Sequence, residues 1–495
     1  MEIEKAIYMD FSKTKKIYMI GVKGVGMTML GQFLATNGAQ VSGSDGPEKY
    51  MTDAVLKNCG ISVIESFSAD NIPKDADLII YSTAYNANNN VEVAAALSGK
   101  IKTLAYAQAL GEVFNQKYGI AVVGSHGKTT TTAWLGFIMK MAGLEPNAMV
   151  GAQVPQFDGC SLIGNSDYLV IEADEYQNKL ENYQPKAVIL NNIDYDHPDF
   201  FPTEEDYKNV FVEFIKKIPS KGFLVVNFDD PVIRKIAQVN CHGKVITYAI
   251  NEVADYVAYD IKAHAGKQFF KVKFGVDDED EDETRSYRFA GASLQDDRAN
   301  GLGDFSIQLG GRHNILNALA VIAASVELGV DLFKIRKYLE EFSGTARRMQ
   351  ILGEFNGAII IDDYAHHPTE IKATVEAVRQ KYENRNLIVV FHPHTFSRTK
   401  ALFDDFAKSF SQVDELIIID IYGSAREQQG GVHSRDLAEA IKSNNQLSGV
   451  KQEVKYISTL AECEKYLREH IGRNDLAVLM GAGDIFRVGE NLVKD

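Results

Sequence analysis

Short runs of Val, Ile, Leu and Phe recur along the 495-residue chain, separated by longer helical stretches. They lie at 17–20, 78–81, 120–123, 168–171, 187–190 and 223–226, and again at 358–361, 387–391, 416–419 and 477–480. These runs are apolar at consecutive positions rather than at alternate ones, which predicts strands covered on both faces. Strands that alternate with helices predict an α/β chain with mostly parallel sheets. At roughly 100–200 residues per domain the length implies about three domains. One boundary is placed near Val113, ahead of the strand 120–123. The other is placed near Glu341, where the turn Ser343-Gly344-Thr345 follows a helical segment. The expected domains are therefore 1–112, 113–341 and 342–495.

Two glycine loops follow predicted strands. The first is Gly21-Val22-Lys23-Gly24-Val25-Gly26-Met27, and a helix opens after it. Its glycines allow a tight turn and bring backbone N–H groups toward a pyrophosphate at the helix start. The spacing is G-x-x-G-x-G and not the dinucleotide fingerprint G-x-G-x-x-G, so nucleotide binding and a purely structural turn both stay open. A second strand ends at Val41 and leads into Ser42-Gly43-Ser44-Asp45, where a carboxylate can meet a nucleoside. Lys23 is expected to add a cation near the phosphates.

The second loop is Gly124-Ser125-His126-Gly127-Lys128-Thr129-Thr130. A glycine turn, then Lys, then Thr at a helix start suits a nucleoside triphosphate. Backbone amides and the helix dipole hold the phosphates, Lys128 neutralises them, and the Thr129 hydroxyl is placed for Mg²⁺. Only two residues separate Gly124 from Gly127, where the standard phosphate loop has four between its glycines. Two polar clusters follow later strands: Glu172-Ala173-Asp174-Glu175, and Asn191-Asn192-Ile193-Asp194-Tyr195-Asp196-His197. The C-terminal ends of parallel strands are where such sheets bind ligands, and acids with an imidazole there can hold Mg²⁺.

Composition narrows the class. The formal charge is −15, which argues against nucleic acid or an anionic membrane as the main partner. One run of seven consecutive acids, 277–283, accounts for almost half of that net imbalance and is read as a solvated loop or hairpin tip. Cys59, Cys160, Cys241 and Cys463 are scattered without a CxxC pair, as expected of reduced thiols, and give no zinc spacing. Residues 1–16 mix charges and do not read as a signal peptide, and no apolar run nears the roughly 20 residues of a membrane helix. The expected compartment is the cytoplasm.

Several motifs in order resemble the ATP-dependent Mur ligases, three-domain amide-bond formers of peptidoglycan synthesis. They are the second loop, Glu172–Glu175, the Asp196-His197 pair, and Gly311-Arg312-His313-Asn314-Ile315-Leu316-Asn317. The segments from Ser343 to Arg348, Asp362 to Glu370 and His392 to Thr399, with Gly481-Ala482-Gly483-Asp484-Ile485, are similar to the branch that joins L-alanine to UDP-N-acetylmuramate. A related ligase that attaches a recycled tripeptide to the same sugar is the nearest alternative. A nucleotide-dependent oxidoreductase and a non-catalytic binding protein are the more remote ones.

The resemblance implies a Rossmann-like first domain, a central phosphate-loop ATPase-like domain and a Rossmann-like third. It implies ATP and Mg²⁺, with catalytic roles for Lys128, Glu172, His197 and Arg348. Gly124 through Thr130, Asn314, Asn317, Arg348 and Asp363 fall at ATP positions, and Thr129, Glu172 and His197 at metal positions. Gly21, Gly24, Gly26, Met27, Ser44, Asp45, Ser82 and Thr83 match the UDP-sugar site. Tyr364, His366, His394 and Arg398 match the surface where the amino acid docks. The chain departs from the pattern at Lys23, where Gly is common, and at Tyr176, where Ser is common. Oligomeric state is expected to be monomer or homodimer.

Overall fold

A computed structural model describes residues 14–50, 52–157, 159–264, 266–274, 301–423 and 430–494. The acidic run 277–283 and residues 1–13 lie outside the described residues. The remainder builds three separate sheets along the chain.

The first sheet has five strands, in the spatial order Ser62–Ile64, Gln40–Ser44, Lys16–Ile20, Leu78–Tyr81, Lys102–Ala105. All are parallel. The order reverses direction at Lys16–Ile20, and a crevice opens beyond the carboxyl ends of strands at such a point. Gly21 sits there: its N–H donates to the Ser44 carbonyl at 2.8 Å, and the Ser82 N–H donates to Ile20 at 2.9 Å. Its φ of 80° is left-handed, and a Cβ would stand 2.8 Å from the Ser82 Cβ, so only glycine closes this turn.

The second sheet has ten strands. Tyr118–Val123 lies between Tyr168–Glu172 and Ala187–Leu190, parallel to both. Phe223–Asn227, Lys244–Ala249 and Tyr256–His264 extend the parallel run. Lys267–Phe274 and Gly303–Ile307 then close that edge antiparallel. The central strands are fully buried, as their continuous apolar sequences require. Helices Lys128–Ala142 and Arg312–Glu327 pack on this sheet, and the buried Trp134 stacks on Phe342 with ring centres 5.1 Å apart.

The third sheet orders Gln350–Phe355, Ala358–Asp363, Asp475–Met480, Asn386–Phe391, Glu415–Ile418 and Glu453–Tyr456. Its first pair is antiparallel and the rest are parallel. Among the described residues no helix is long and apolar enough to cross a membrane. All four cysteines are free thiols.

Candidate active site

Strand Tyr118–Val123 ends in Gly124, and helix Lys128–Ala142 begins directly after Gly127. Both glycines are required by space and backbone. A Cβ on Gly127, with φ 79°, would lie 2.5 Å from the Asn317 Oδ1. One on Gly124, with φ 126°, would lie 2.8 Å from the Asn192 carbonyl oxygen.

The Lys128 ammonium curls back over this loop. It donates to the carbonyls of Gly124 and Ser125 and to Glu175 Oε2 at 3.0 Å. Burial opposes its charge, but Glu175, Asp174 and Glu172 outweigh that and raise its pKa above the ordinary lysine value. The lysine is therefore held charged where phosphates meet a helix N-terminus. Thr129 donates to Glu172 Oε1 at 2.9 Å, and Glu172 Oε2 accepts from the Gly151 N–H at 2.7 Å. Ser125 donates to the Asp194 carbonyl at 2.6 Å and contacts the Tyr207 hydroxyl at 2.8 Å. That hydroxyl in turn donates to Glu175.

The expected metal ligands Thr129, Glu172 and His197 do not form one group. Thr129 and Glu172 are together, but the donor atoms that gather around His197 are those of Asp174 and Glu175, all within 4.8 Å of one another. His197, with φ 56°, packs at a tilt against the Tyr176 ring, with ring centres 4.5 Å apart. Carboxylate and hydroxyl oxygens predominate in this corner, a donor set that fits Mg²⁺. Lys208 is turned to Glu205 on its own helix.

A cavity of about 660 Å³ opens between the second and third sheets, in the range of pockets that take a small organic ligand. Gly127, Thr130, Asn314, Asn317, Arg348 and Asp363 all line it. Asn317 donates to Asn314 Oδ1 at 3.2 Å, so the two amides are mutually oriented. The neighbouring arginines diverge. Arg347 turns inward to Asp362 at 3.0 Å and the Gly481 carbonyl at 2.7 Å. Arg348 faces the cavity and stands 3.5 Å from Glu370. Asp363 spends both oxygens on the fold: it accepts from the N–H groups of Met349 and Ala365 and from Thr374. Burial pushes its carboxyl up.

The amino-acid set is contiguous. The Tyr364 ring packs edge-on to His366 at 5.3 Å, His366 to His394 at 5.9 Å, and the His394 Nδ1 lies 3.2 Å from Arg398 Nη1. Arg398 then reaches the second unit, giving Asp196 bonds of 2.8 and 3.2 Å. Arg398 is thus partly committed to a protein partner.

In the first unit the fold already engages several of the expected sugar-site residues. Met27 is only 2% exposed, because its position on helix Val25–Thr36 faces the core, so its side chain packs rather than meets a ligand. Ser44 is fully buried and donates to the buried Glu92. Asp45 accepts from the Lys23 and Gly46 N–H groups at 2.7 and 2.8 Å. The Lys23 ammonium is not presented to a phosphate. It is buried against the carbonyls of Gly46 and Glu48 and the Glu65 carboxylate, each at 2.9 Å. Gly24 opens the helix, Gly26 leaves room for the Tyr106 ring, and Ser82 and Thr83 follow strand Leu78–Tyr81.

Sequence reasoning assigned no role to Glu370, and it proves central. In the first turn of helix Pro368–Lys381, it stands 3.3 Å from His126, 3.2 Å from His366 and 3.5 Å from Arg348. Burial alone would raise its carboxyl pKa, but His366 and His126 hold it well below the usual range. Burial likewise lowers the His126 pKa, yet Asp194 and Glu370 raise it to about 9. The i,i+4 spacing of His366 and Glu370 at a helix start was the available signal.

Comparison with known proteins identifies the architecture. Residues 16–118 match the Mur ligase family catalytic domain, 122–325 the Mur ligase middle domain, and 347–483 the Mur ligase glutamate ligase domain. A Desulfitobacterium hafniense protein named UDP-N-acetylmuramate–L-alanine ligase is 40% identical, over 96% of this chain and 99% of its own length. An Alkaliphilus metalliredigens protein of the same name is 37% identical over 99% of both. Among solved structures, the Thermotoga maritima UDP-N-acetylmuramate–alanine ligase superposes with a TM-score of 0.78 at 25% identity, covering 97% of this chain and 98% of that one. A murein peptide ligase from Psychrobacter arcticus shares the fold with a TM-score of 0.70 at 23% identity, covering 97% and 98%. With three ordered domain matches and full-length relatives at this level of identity, the chain belongs to the Mur ligase family.

Proposed function

We propose that this protein joins L-alanine to UDP-N-acetylmuramate at the expense of ATP, through an acyl phosphate, in peptidoglycan precursor synthesis in the cytoplasm. The observation that carries the reading is one cavity lined by the phosphate-loop residues Gly127 and Thr130 and by Arg348 of the third unit. Lys128 is held charged on the same loop by Glu175, and the third unit also carries the contiguous set Tyr364–His366–His394–Arg398. The relatives named for this activity align over nearly the full chain and support the same substrates.

A carboxylate is a poor acyl donor. Moving the γ-phosphoryl group of ATP onto the lactyl carboxylate makes it a good one; the alanine amine attacks, and phosphate leaves from a tetrahedral intermediate. Every species at that centre is anionic, so catalysis rests on placed cations rather than on a nucleophile. Lys128 and Arg348 supply two of them. Thr129 and Glu172, with the neighbouring His197, would hold Mg²⁺, which when bound neutralises phosphate charge. Asn314 and Asn317 would face the adenosine end, and Asp363 would act there mainly by holding its own loop. UDP would lie over the Gly21 turn, against the strand ends at Ser44 and Ser82. The sugar domain is then 1–112, the ATP domain 113–341 and the amino-acid domain 342–495.

Phosphate release with UDP-N-acetylmuramate and each of L-alanine, glycine, L-serine and the murein tripeptide tests the reading. L-Alanine should give the highest kcat/KM. Turnover of the tripeptide with none of L-alanine would overturn it. A Lys128→Ala protein with near-normal release would refute the phosphate-loop assignment.

A further inference from the structure

A second group of potential ligands sits at the seam between the phosphate loop and the third unit, and of its members the ligase reading uses only His126, as part of the phosphate loop. We propose that His126, Asp194 and His367 form a site for a transition-metal cation of the zinc class, bridging the two units. The proposal concerns binding and does not rest on the ligase reading.

The geometry suits such an ion. His126 Nε2 lies 3.0 Å from Asp194 Oδ2, and His367 Nδ1 lies 3.5 Å from the same oxygen. All three donor atoms lie within 4.8 Å of one another. In a tetrahedral site with metal–ligand distances of about 2.0–2.2 Å, neighbouring ligand atoms stand roughly 3.4 Å apart. Small side-chain adjustments therefore suffice.

The outer contacts are of the kind that orient histidine ligands. The far nitrogen of His126, Nδ1, is 3.3 Å from the Glu370 carboxylate. The far nitrogen of His367, Nε2, is 3.3 Å from the Tyr195 carbonyl. A ligating imidazole that donates its other N–H to a carboxylate or a carbonyl has its tautomer and ring direction fixed. Both outer nitrogens already meet that condition; the inner nitrogen of His126 is turned to Asp194, and that of His367, which also accepts the Thr369 N–H at 3.3 Å as the helix cap, would exchange that bond for the ion. Thr369 also donates to Asp194 Oδ2, and would keep this carboxylate in place.

Two imidazoles and one carboxylate favour zinc-like ions over Mg²⁺, whereas the Asp174–Glu175–His197 corner is richer in hard oxygen donors. Three protein ligands leave a fourth position, and His126 and Asp194 line the large cavity, so that position can open toward it. The Asp194 side chain is 38% exposed, which provides an entry path. The ligands come from separate places: His126 and Asp194 from strand ends of the second sheet, His367 from the N-cap of helix Pro368–Lys381. A bound ion would hold the two units together, and so slow any turnover that needs them to part.

Cobalt(II) titration of the full-length protein in excess Mg²⁺ tests this. One equivalent should produce the intense visible bands of four-coordinate cobalt, and Zn²⁺ should bleach them. The bands should be lost in His367→Ala and kept in His197→Ala, and calorimetry should show Zn²⁺ binding at least tenfold weaker in the former. If His367→Ala does not fold by circular dichroism, Asp194→Asn takes its place with the same expectation. Only weak octahedral bands in the unaltered protein, or intense bands that survive in a folded ligand variant, would overturn the site.

Discussion

Arg398 and Asp196, 202 positions apart in the chain, form a two-pronged ion pair across the seam between the second and third units, with bonds of 2.8 and 3.2 Å. Both are nearly buried, at 4% and 8% side-chain exposure. Burial by itself would push the Asp196 carboxyl up. Arg398 and His197 outweigh it and hold the group well below the ordinary carboxylate range. Breaking a buried pair by removing one partner typically costs about 3–5 kcal/mol, because the other charge is left unpaired. Arg398→Ala should therefore loosen the docking of the third unit and lower kcat/KM for the amino acid by on the order of 100-fold. A double variant with Asp196→Ala should lose less than the sum of the single losses. Steady-state kinetics and small-angle scattering read both effects; strict additivity would contradict the coupling.

Glu370 offers a sharper test of how the site is assembled. It faces His126 from the phosphate loop, Arg348 from the cavity wall and His366 from the amino-acid surface. Glu370→Gln keeps the size and removes the charge that these three side chains face. A fall in kcat of roughly 10–100-fold, with a higher KM for ATP, is the expected outcome. The fold should persist, because the helix keeps Pro368 at its start and its His367 cap. Unchanged kinetics in a folded variant would show that these side chains hold their places without it.

Gly127 carries a steric prediction. It has φ 79°, and any Cβ would fall 2.5 Å from Asn317 Oδ1 and 2.9 Å from the Asn191 amide nitrogen. Gly127→Ala pays the left-handed backbone cost of about 1–2 kcal/mol and also displaces one of those amides. Nucleotide affinity should drop by more than tenfold, as measured by calorimetry, while the neighbouring strand Tyr118–Val123 remains intact. Wild-type affinity would mean that the loop relaxes at no expense.

The buried strands were legible in the sequence because their apolar residues run on without a break: Ala187–Leu190 and the first four residues of Phe223–Asn227 have no exposed face to interrupt the run. Strands near a sheet edge were not. Lys267–Phe274 alternates buried and exposed positions and carries three lysines, and Glu453–Tyr456 has only one buried residue. The loop residues Gly124, Gly127, Lys128 and Thr129 were legible for a similar reason, since their chemistry is local. What could not be read was which charges find each other across units. Lys23 looked like a phosphate ligand because its loop does, but the carbonyls of Gly46 and Glu48 and the Glu65 carboxylate claim it. Glu175, Asp194 and Glu370 stood within quoted motifs, yet their partners are set by the docking of helices and strand ends far apart in sequence.

Two histidines of the third unit make acid stability predictable. His392 is 6% exposed and lies at the end of strand Asn386–Phe391, packed edge-on to Tyr422 at 5.5 Å. Burial pushes its pKa down to about 4. Burial, with His366 and Arg398 nearby, pushes His394 to about 3. Near pH 7 both are neutral, folded or unfolded. As the pH falls below about 6.5, the unfolded chain takes up protons at these positions and the folded chain does not. The unfolded state then binds more protons, so stability declines steadily from pH 6.5 toward pH 4. His392 alone accounts for at most about 3 kcal/mol of that loss. His392→Phe keeps a ring against Tyr422 and cannot take a proton. Its urea midpoint should therefore fall less between pH 7 and pH 5 than that of the unaltered protein. Parallel slopes for the two proteins would show that His392 is not protonated on unfolding in this window.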